Sequence, residues 1–273
     1  MSDTNLKLSG TLHVAPVDQL FDDLAHALMK CAADAVRQRG AFHLALSGGS
    51  TPEPFYQRLI IDPRYRAVPW KETHIWIVDE RRVPEDHEKS NWRMIRRVLT
   101  DHLPVKSRQL HPMPVLLTDP ATAYIEEMTR VFESLEAARP GSSNPISEIL
   151  SPKLSAIPRL DFVLLGMGDD THTASLFPGS PGLNEKSRWI FNNDGPNVTP
   201  PPRVTMTYPL LNAARELGVL CVGAKKLATL QRVEKQLREK GPDPQTMPIT
   251  GIQPTPSGGT LTWWLDDAAA GKN

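Results

Sequence analysis

Apolar positions along the chain fall into short uninterrupted runs that alternate with longer stretches of helical spacing. After a candidate strand at residues 11–15, Phe21, Leu24, Ala25, Leu28, Ala32, Ala35 and Val36 recur at intervals that mark one face of a helix, until Gly40 stops the pattern. Residues 41–46 form a short apolar strand that ends at Ser47-Gly48-Gly49, and Pro52 suits the first turn of a helix over 52–61 with Ser50 or Thr51 as its cap. A strand at 73–78 combines β-branched residues with Trp76 and delivers Asp79-Glu80-Arg81 at its end. Helices are predicted over 90–100, 119–138 and 225–240, and strands over 160–165, 189–192, 204–207 and 217–222. The proline-rich stretch 242–256 reads either as an ordered extended crossover or as a loose loop.

Strands alternating with helices predict an α/β fold, a mostly parallel sheet with helices on both faces. At 273 residues the chain, 1–273, is expected to form a single domain, with a flexible surface loop where residues 140–158 turn to proline, serine, glycine and asparagine. The 31 basic and 31 acidic side chains cancel, so no overall field draws the protein to nucleic acid or to an anionic membrane. Any anion has to be held by a local constellation. The first residues lack the basic start and apolar stretch of a secretory signal, and no apolar run approaches the ~20 residues of a membrane span. A cytoplasmic protein, a monomer or weak homodimer acting on a small molecule, is the expectation. Cys31 and Cys221 stand far apart without metal-ligand spacing, which fits two buried thiols in a reducing compartment.

Two loops carry candidate chemistry. Ser47-Gly48-Gly49-Ser50-Thr51 lies between a strand and a proline-started helix, where unpaired N–H groups and glycines suit an oxyanion. It lacks the Gly-Lys-Ser/Thr of a Walker A loop, and on local sequence it fits a plain strand-to-helix turn equally well. The second loop, Gly166 to Gly179, follows the strand at 160–165, so it lies at a strand's carboxyl end, where open α/β sheets place ligands. It holds His172, whose neutral imidazole can take a proton from water and return it within one turnover. For an arbitrary histidine the structural role is favoured; the flanking motif reverses that for His172. His43, His74, His87, His102 and His111 have no comparable context and form no metal set. Gly166-x-Gly168 also suggests a dinucleotide loop, but Thr171 stands where its third glycine belongs.

The stretch from Gly166 to Gly179, together with Ser47-Gly48-Gly49-Ser50-Thr51-Pro52, Asp79-Glu80-Arg81-Arg82-Val83-Pro84 followed by Ser90-Asn91, Arg203-Val204-Thr205-Met206-Thr207 and Leu261-Thr262-Trp263-Trp264-Leu265-Asp266, closely resembles the landmarks of the 6-phosphogluconolactonase family in the same order. The resemblance spans most of the chain. It implies the Rossmann-like fold of the sugar-phosphate isomerases and deaminases, and hydrolysis of 6-phospho-D-glucono-1,5-lactone to 6-phospho-D-gluconate, the second step of the oxidative pentose phosphate pathway. No cofactor and no metal are expected. The resemblance places the 6-phosphate at Ser47, Gly48, Gly49, Ser50 and Thr51, with Arg203 and Lys225 as its cations; without it, each of these two reads as a solvated surface charge. His172 becomes the general base. Asp170 either holds the imidazole or caps a helix beginning near Thr173. Arg81 positions the sugar or steadies the developing oxyanion, Asp79 holds hydroxyls or braces the loop, Asn91 meets a sugar hydroxyl, and Arg82 faces solvent.

A glucosamine-6-phosphate deaminase-like isomerase and a non-catalytic sugar-phosphate sensor are the alternatives. The family reads Gly-x-Asp-Gly-His where this chain has Gly168-Asp169-Asp170-Thr171-His172. With φ above zero at position 171, threonine costs about 1–3 kcal/mol or reshapes the loop; with φ below zero it is harmless.

Overall fold

The structure, a computed structural model, describes residues 6–137, 157–199, 202–255 and 259–272. Residues 140–156 of the expected flexible loop lie outside the described residues, as does Pro256. In chain order the strands are β1 (Thr11–Ala15), β2 (Phe42–Leu46), β3 (Thr73–Ile77), β4 (Asp79–Arg81), β5 (Leu110–His111), β6 (Phe162–Gly166), β7 (Ile190–Asn193), β8 (Arg203–Met206), β9 (Glu216–Cys221) and β10 (Thr260–Asp266). The helices are α1 (Val17–Arg39), α2 (Glu53–Ile61), α3 (Asn91–Val98), α4 (Pro120–Ala137), α5 (Tyr208–Ala213) and α6 (Leu227–Lys240).

Seven strands form one sheet in the order β1-β10-β9-β6-β2-β3-β5, with every pairing parallel. All five residues of β2 are buried, as expected of a central parallel strand covered on both faces. Helix α1 buries the face that its spacing announced, from Leu20 to Ala35, and ends where Gly40 takes φ +80° and donates its N–H to Val36 O. Tyr124 of α4 joins β3 to β5, since its hydroxyl accepts from Ile77 N and donates to His111 O. Cys31 and Cys221 are buried, and burial pushes the Cys221 thiol up to about 12, so neither is a reactive thiolate.

A second sheet departs from the sequence expectation. The segments expected at 189–192 and 204–207 leave the parallel sheet: β8 pairs antiparallel with Asp79–Arg81 and β7 pairs antiparallel with β8, in the order β4-β8-β7. Strand β5 has two residues and α5 six, too short for a periodic signal. The helix expected near Thr173 does not form. Thr171 and Ala174 have φ of +72° and +50°, outside helical geometry, and the segment runs as turns with one isolated bridge between Thr173 and Leu176. Residues 242–255 are an ordered crossover with a short 3₁₀ turn at Pro248–Gly251, which donates Ile249 N to Thr171 O.

Candidate active site

A cleft of about 370 Å³ opens at the carboxyl ends of β2 and β6 and is walled on one side by β4 and β8 of the small sheet. The loop after β2 contributes its whole length, Ser47 to Pro52. Ser47 is committed to the fold, because its hydroxyl donates to Leu164 O at 2.8 Å while its carbonyl accepts from Tyr56. Gly48 makes room for a neighbour: a Cβ there would lie 2.1 Å from Asn91 Oδ1. Gly49 has φ +103°, a conformation that glycine adopts freely. Neither Ser50 nor Thr51 caps α2; Pro52 takes the cap position without a side-chain cap bond, and since Pro54 has no N–H the first turn offers the amides of Glu53 and Phe55. Those donors are available to an anion.

From the small sheet, Arg81 and Arg203 are direct cross-strand partners, and both line the cleft. Like charges placed opposite each other in an antiparallel pair are unfavourable unless something negative joins them. Burial, and then the Arg81 charge, lower the pKa of Arg203, while Asp79 and Glu80 act the other way. Arg81 donates through Nη1 to Lys89 O, and its buried Nε has no partner. The two guanidiniums therefore have donors and positive charge to spend on an anion.

Asp79 and Asn91 sit beside them in the cleft wall. Asp79 accepts from Ser175 Oγ at 2.5 Å, and Asn91 donates to Asp79 O at 2.9 Å. Behind this wall Glu80 is buried and accepts from the N–H groups of Arg81, Asn91 and Trp92, each at 2.8 Å, and from Ser90 Oγ. Its burial pushes the carboxyl pKa up even against those three bonds. Arg82 turns away from the cleft rather than into solvent, donating to Val115 O and Leu117 O.

His172 lines the cleft from the loop after β6. Asp170 Oδ1 accepts from the His172 backbone N–H at 3.1 Å and stands 2.5 Å from its Nδ1. Of the two roles open to Asp170, the structure builds the one that holds the imidazole, and there is no following helix to cap. Partial burial raises the Asp170 pKa, but the bonds and charge of His172 outweigh it and hold the carboxyl below its usual value. An ionised carboxylate only accepts, so Nδ1 carries a proton toward Asp170, and in the neutral form of the ring Nε2 is the nitrogen able to accept one. Gly168 permits this closeness, since a Cβ there would lie 2.1 Å from His172 Nδ1.

Lys225 does not line the cleft; it is exposed on the short 3₁₀ turn before α6. Its neighbour Lys226 is the lysine that reaches the histidine loop, through Met167 O at 2.9 Å and Asp169 Oδ1 at 2.6 Å. Sequence reasoning also passed over Ser175, Phe177 and Thr199, all of which line the cleft. The first two lie inside the histidine motif and were open to discovery there, whereas nothing local marks Thr199. Among the described residues, no group of three or more His, Cys, Asp or Glu side chains is arranged to hold a metal ion.

The α/β architecture opens a cleft at the carboxyl ends of its strands, lined by two facing arginines and by a histidine held by a carboxylate, the layout of a small-molecule site in this class of fold. The sequence profile described as glucosamine-6-phosphate isomerases/6-phosphogluconolactonase matches residues 16–263, and the chain belongs to that family. It is 37% identical over 241 residues to the 6-phosphogluconolactonase of Synechocystis, covering 88% of this chain and 87% of that protein. It is 35% identical over 249 residues to the GDH/6PGL endoplasmic bifunctional protein of Oryctolagus cuniculus, covering 91% of this chain and 28% of that longer protein. Among solved structures, the crystal structure of devB protein superposes with a TM-score of 0.75 at 26% identity, over 96% of this chain and 98% of the other. The family thus includes an endoplasmic member, so membership does not by itself imply the expected cytoplasmic location. No helix among the described residues is long and apolar enough to cross a membrane.

Proposed function

We infer that this chain hydrolyses 6-phosphogluconolactone to 6-phosphogluconate, with the phosphate gripped at one end of the cleft and His172 driving water onto C1 at the other. The observation that carries this reading is the Asp170–His172 contact of 2.5 Å, placed in the same cleft as two facing arginines. A phosphate dianion beside Arg203 offsets the repulsion that Arg203 meets from Arg81, which leaves Arg81 for the sugar end, and the α2 start with the Ser50 and Thr51 hydroxyls supplies further donors. Asn91 and Asp79 are placed for the sugar hydroxyls. Lys226, holding Asp169, keeps the histidine loop against the cleft from outside.

The reaction needs one group to serve twice. His172 Nε2 removes a proton from water as the oxygen attacks C1, and the imidazolium formed is stabilised by Asp170. Arg81 steadies the charge that develops on the carbonyl oxygen. As the tetrahedral intermediate collapses, the C1–ring oxygen bond breaks and the imidazolium returns its proton to that oxygen. Water has been added across the ester, and the histidine is neutral again.

Because the lactone opens spontaneously, the test is the rate above the uncatalysed background. His172→Ala should lose about 10²–10⁴-fold of that rate, the usual contribution of a positioned general base, while the folded protein still binds 6-phosphogluconate. An unchanged rate in the variant would remove the lactonase assignment of His172. Tight binding of 6-phosphogluconate by the wild type without turnover would identify a sensor, and ammonia release from glucosamine 6-phosphate would identify a deaminase.

A further inference from the structure

Phe177 occupies a position that the hydrolytic scheme does not use. Its side chain is 4% exposed, yet it lines the cleft. The ring centroid lies 4.7 Å from that of His172, with the two planes inclined by 34°, and the Arg203 guanidinium carbon lies 5.7 Å from the same centroid. One benzene ring therefore touches both the proton-accepting side chain and a cation of the anion site. Its backbone is held from behind by Ser180, whose Oγ accepts from Phe177 N and whose N–H donates to Phe177 O. Loop movement does not readily carry the ring away from either partner.

A ring quadrupole attracts a cation near its face and does little for a neutral partner. His172 becomes a cation only while it holds the proton taken from water, so this contact strengthens within the catalytic cycle. We propose that Phe177 is a positioning residue: its ring fixes the imidazole, stabilises the transient imidazolium, and seats the Arg203 guanidinium on the phosphate side. This rests on the reading of His172 as the general base. The other charged groups around the imidazole are Asp170 on its own loop, Arg81 and Asp79 from β4, Arg203 from β8, and Asp169, which is paired with Lys226. Phe177→Leu leaves all of them in place.

The experiment compares wild type, Phe177→Leu, Phe177→Met and Phe177→Tyr by their pH–rate profiles above background, with folding checked by circular dichroism. Leu and Met remove the ring and should lower kcat by about two- to thirtyfold, the range of a partly desolvated cation–π contact. Losing the ring also disfavours the protonated imidazole, so the base stays neutral further into acid. The acid limb of the profile should move to lower pH by about half a unit to one and a half units, the same range expressed as a pKa shift. Tyr keeps the ring and should restore both the limb and kcat. Met keeps the test open if Leu does not fold. A kcat loss without movement of the limb reduces Phe177 to packing and overturns the proposal, as does a kcat within twofold of wild type in both ringless variants. His172→Ala, measured beside them, separates the layers: if its rate equals wild type, the general-base reading fails; if its rate collapses while the Leu profile stays put, only the Phe177 inference fails.

Discussion

At the level of single residues, Thr171 is the position where this chain departs most from its own chemistry. A β-branched residue at φ +72° is strained by about 1–3 kcal/mol, and the Thr171 hydroxyl is buried without a hydrogen-bond partner. The loop keeps this conformation because it is tied on both sides: Thr171 N donates to Gly168 O, Ile249 N donates to Thr171 O, and Gly168 N donates to His172 O. These bonds use only main-chain atoms. Thr171→Gly should therefore keep the loop geometry and relieve the strain, offset in part by the lost methyl and by glycine's greater freedom when unfolded. A net gain of about 1 kcal/mol, or about 2–4 °C in melting temperature by calorimetry, is expected, with lactonase activity retained. A lower melting temperature would show that the threonine side chain earns its place by packing. The same residues mark how far local sequence reaches. His172, Arg81 and the Ser47–Thr51 loop were singled out by the family's motifs rather than by local sequence alone, and they line one cleft. Lys226 was not, because adjacent lysines are chemically alike and only the direction of a 3₁₀ turn selects which of them meets the histidine loop.

At the level of elements, β3, β5 and α4 enclose a second group of histidines that the reaction does not touch. His74 Nδ1 lies 3.0 Å from His111 Nε2, His111 Nδ1 lies 2.6 Å from Glu127 Oε1, and the His43, His74, Trp76 and His111 rings stack along one face. Burial, then the charges of His111 and Arg108, lower the His74 pKa from 6.5 to about 4. The unfolded chain takes a proton as pH falls below about 6.5, and the folded chain refuses it until about 4, so the contribution to stability is complete above that window and lost within it. Denaturant melts should show stability falling with acid by at most about 1.4 kcal/mol per pH unit from this group, and His74→Gln should flatten the slope. Equal slopes in the two proteins would contradict it. Five of the seven parallel strands and the long helices were readable in the sequence, where β2 and α1 carry clear apolar patterns; β5, with two residues, and β10 (Thr260–Asp266) were not expected as strands. The small sheet was not. Its three short strands are assembled by contacts between residues 79–81, 190–193 and 203–206, a distance along the chain over which periodicity has no reach.

Across the whole molecule, the two sheets join at Val78, whose N–H donates to Leu46 O and whose carbonyl accepts from Met206 N, and both contribute to one cleft. The large sheet supplies the Ser47–Thr51 loop and the histidine loop, and the small sheet supplies Arg81 and Arg203. A ligand with phosphate at one end and a carboxyl group at the other bridges them, and its binding free energy adds to that of folding. At about one hundred times its dissociation constant, 6-phosphogluconate should stabilise the protein by about 2.7 kcal/mol, or about 5–10 °C in melting temperature. Inorganic phosphate should give a smaller shift, because it occupies only the arginine end. Arg203→Ala removes half of the facing cation pair, and also relieves the repulsion with Arg81, so the unliganded variant should melt close to wild type while its ligand-induced shift shrinks. That pattern separates binding from folding: an arginine needed only to hold β4 and β8 together would lower the melting temperature without ligand and leave the shift intact.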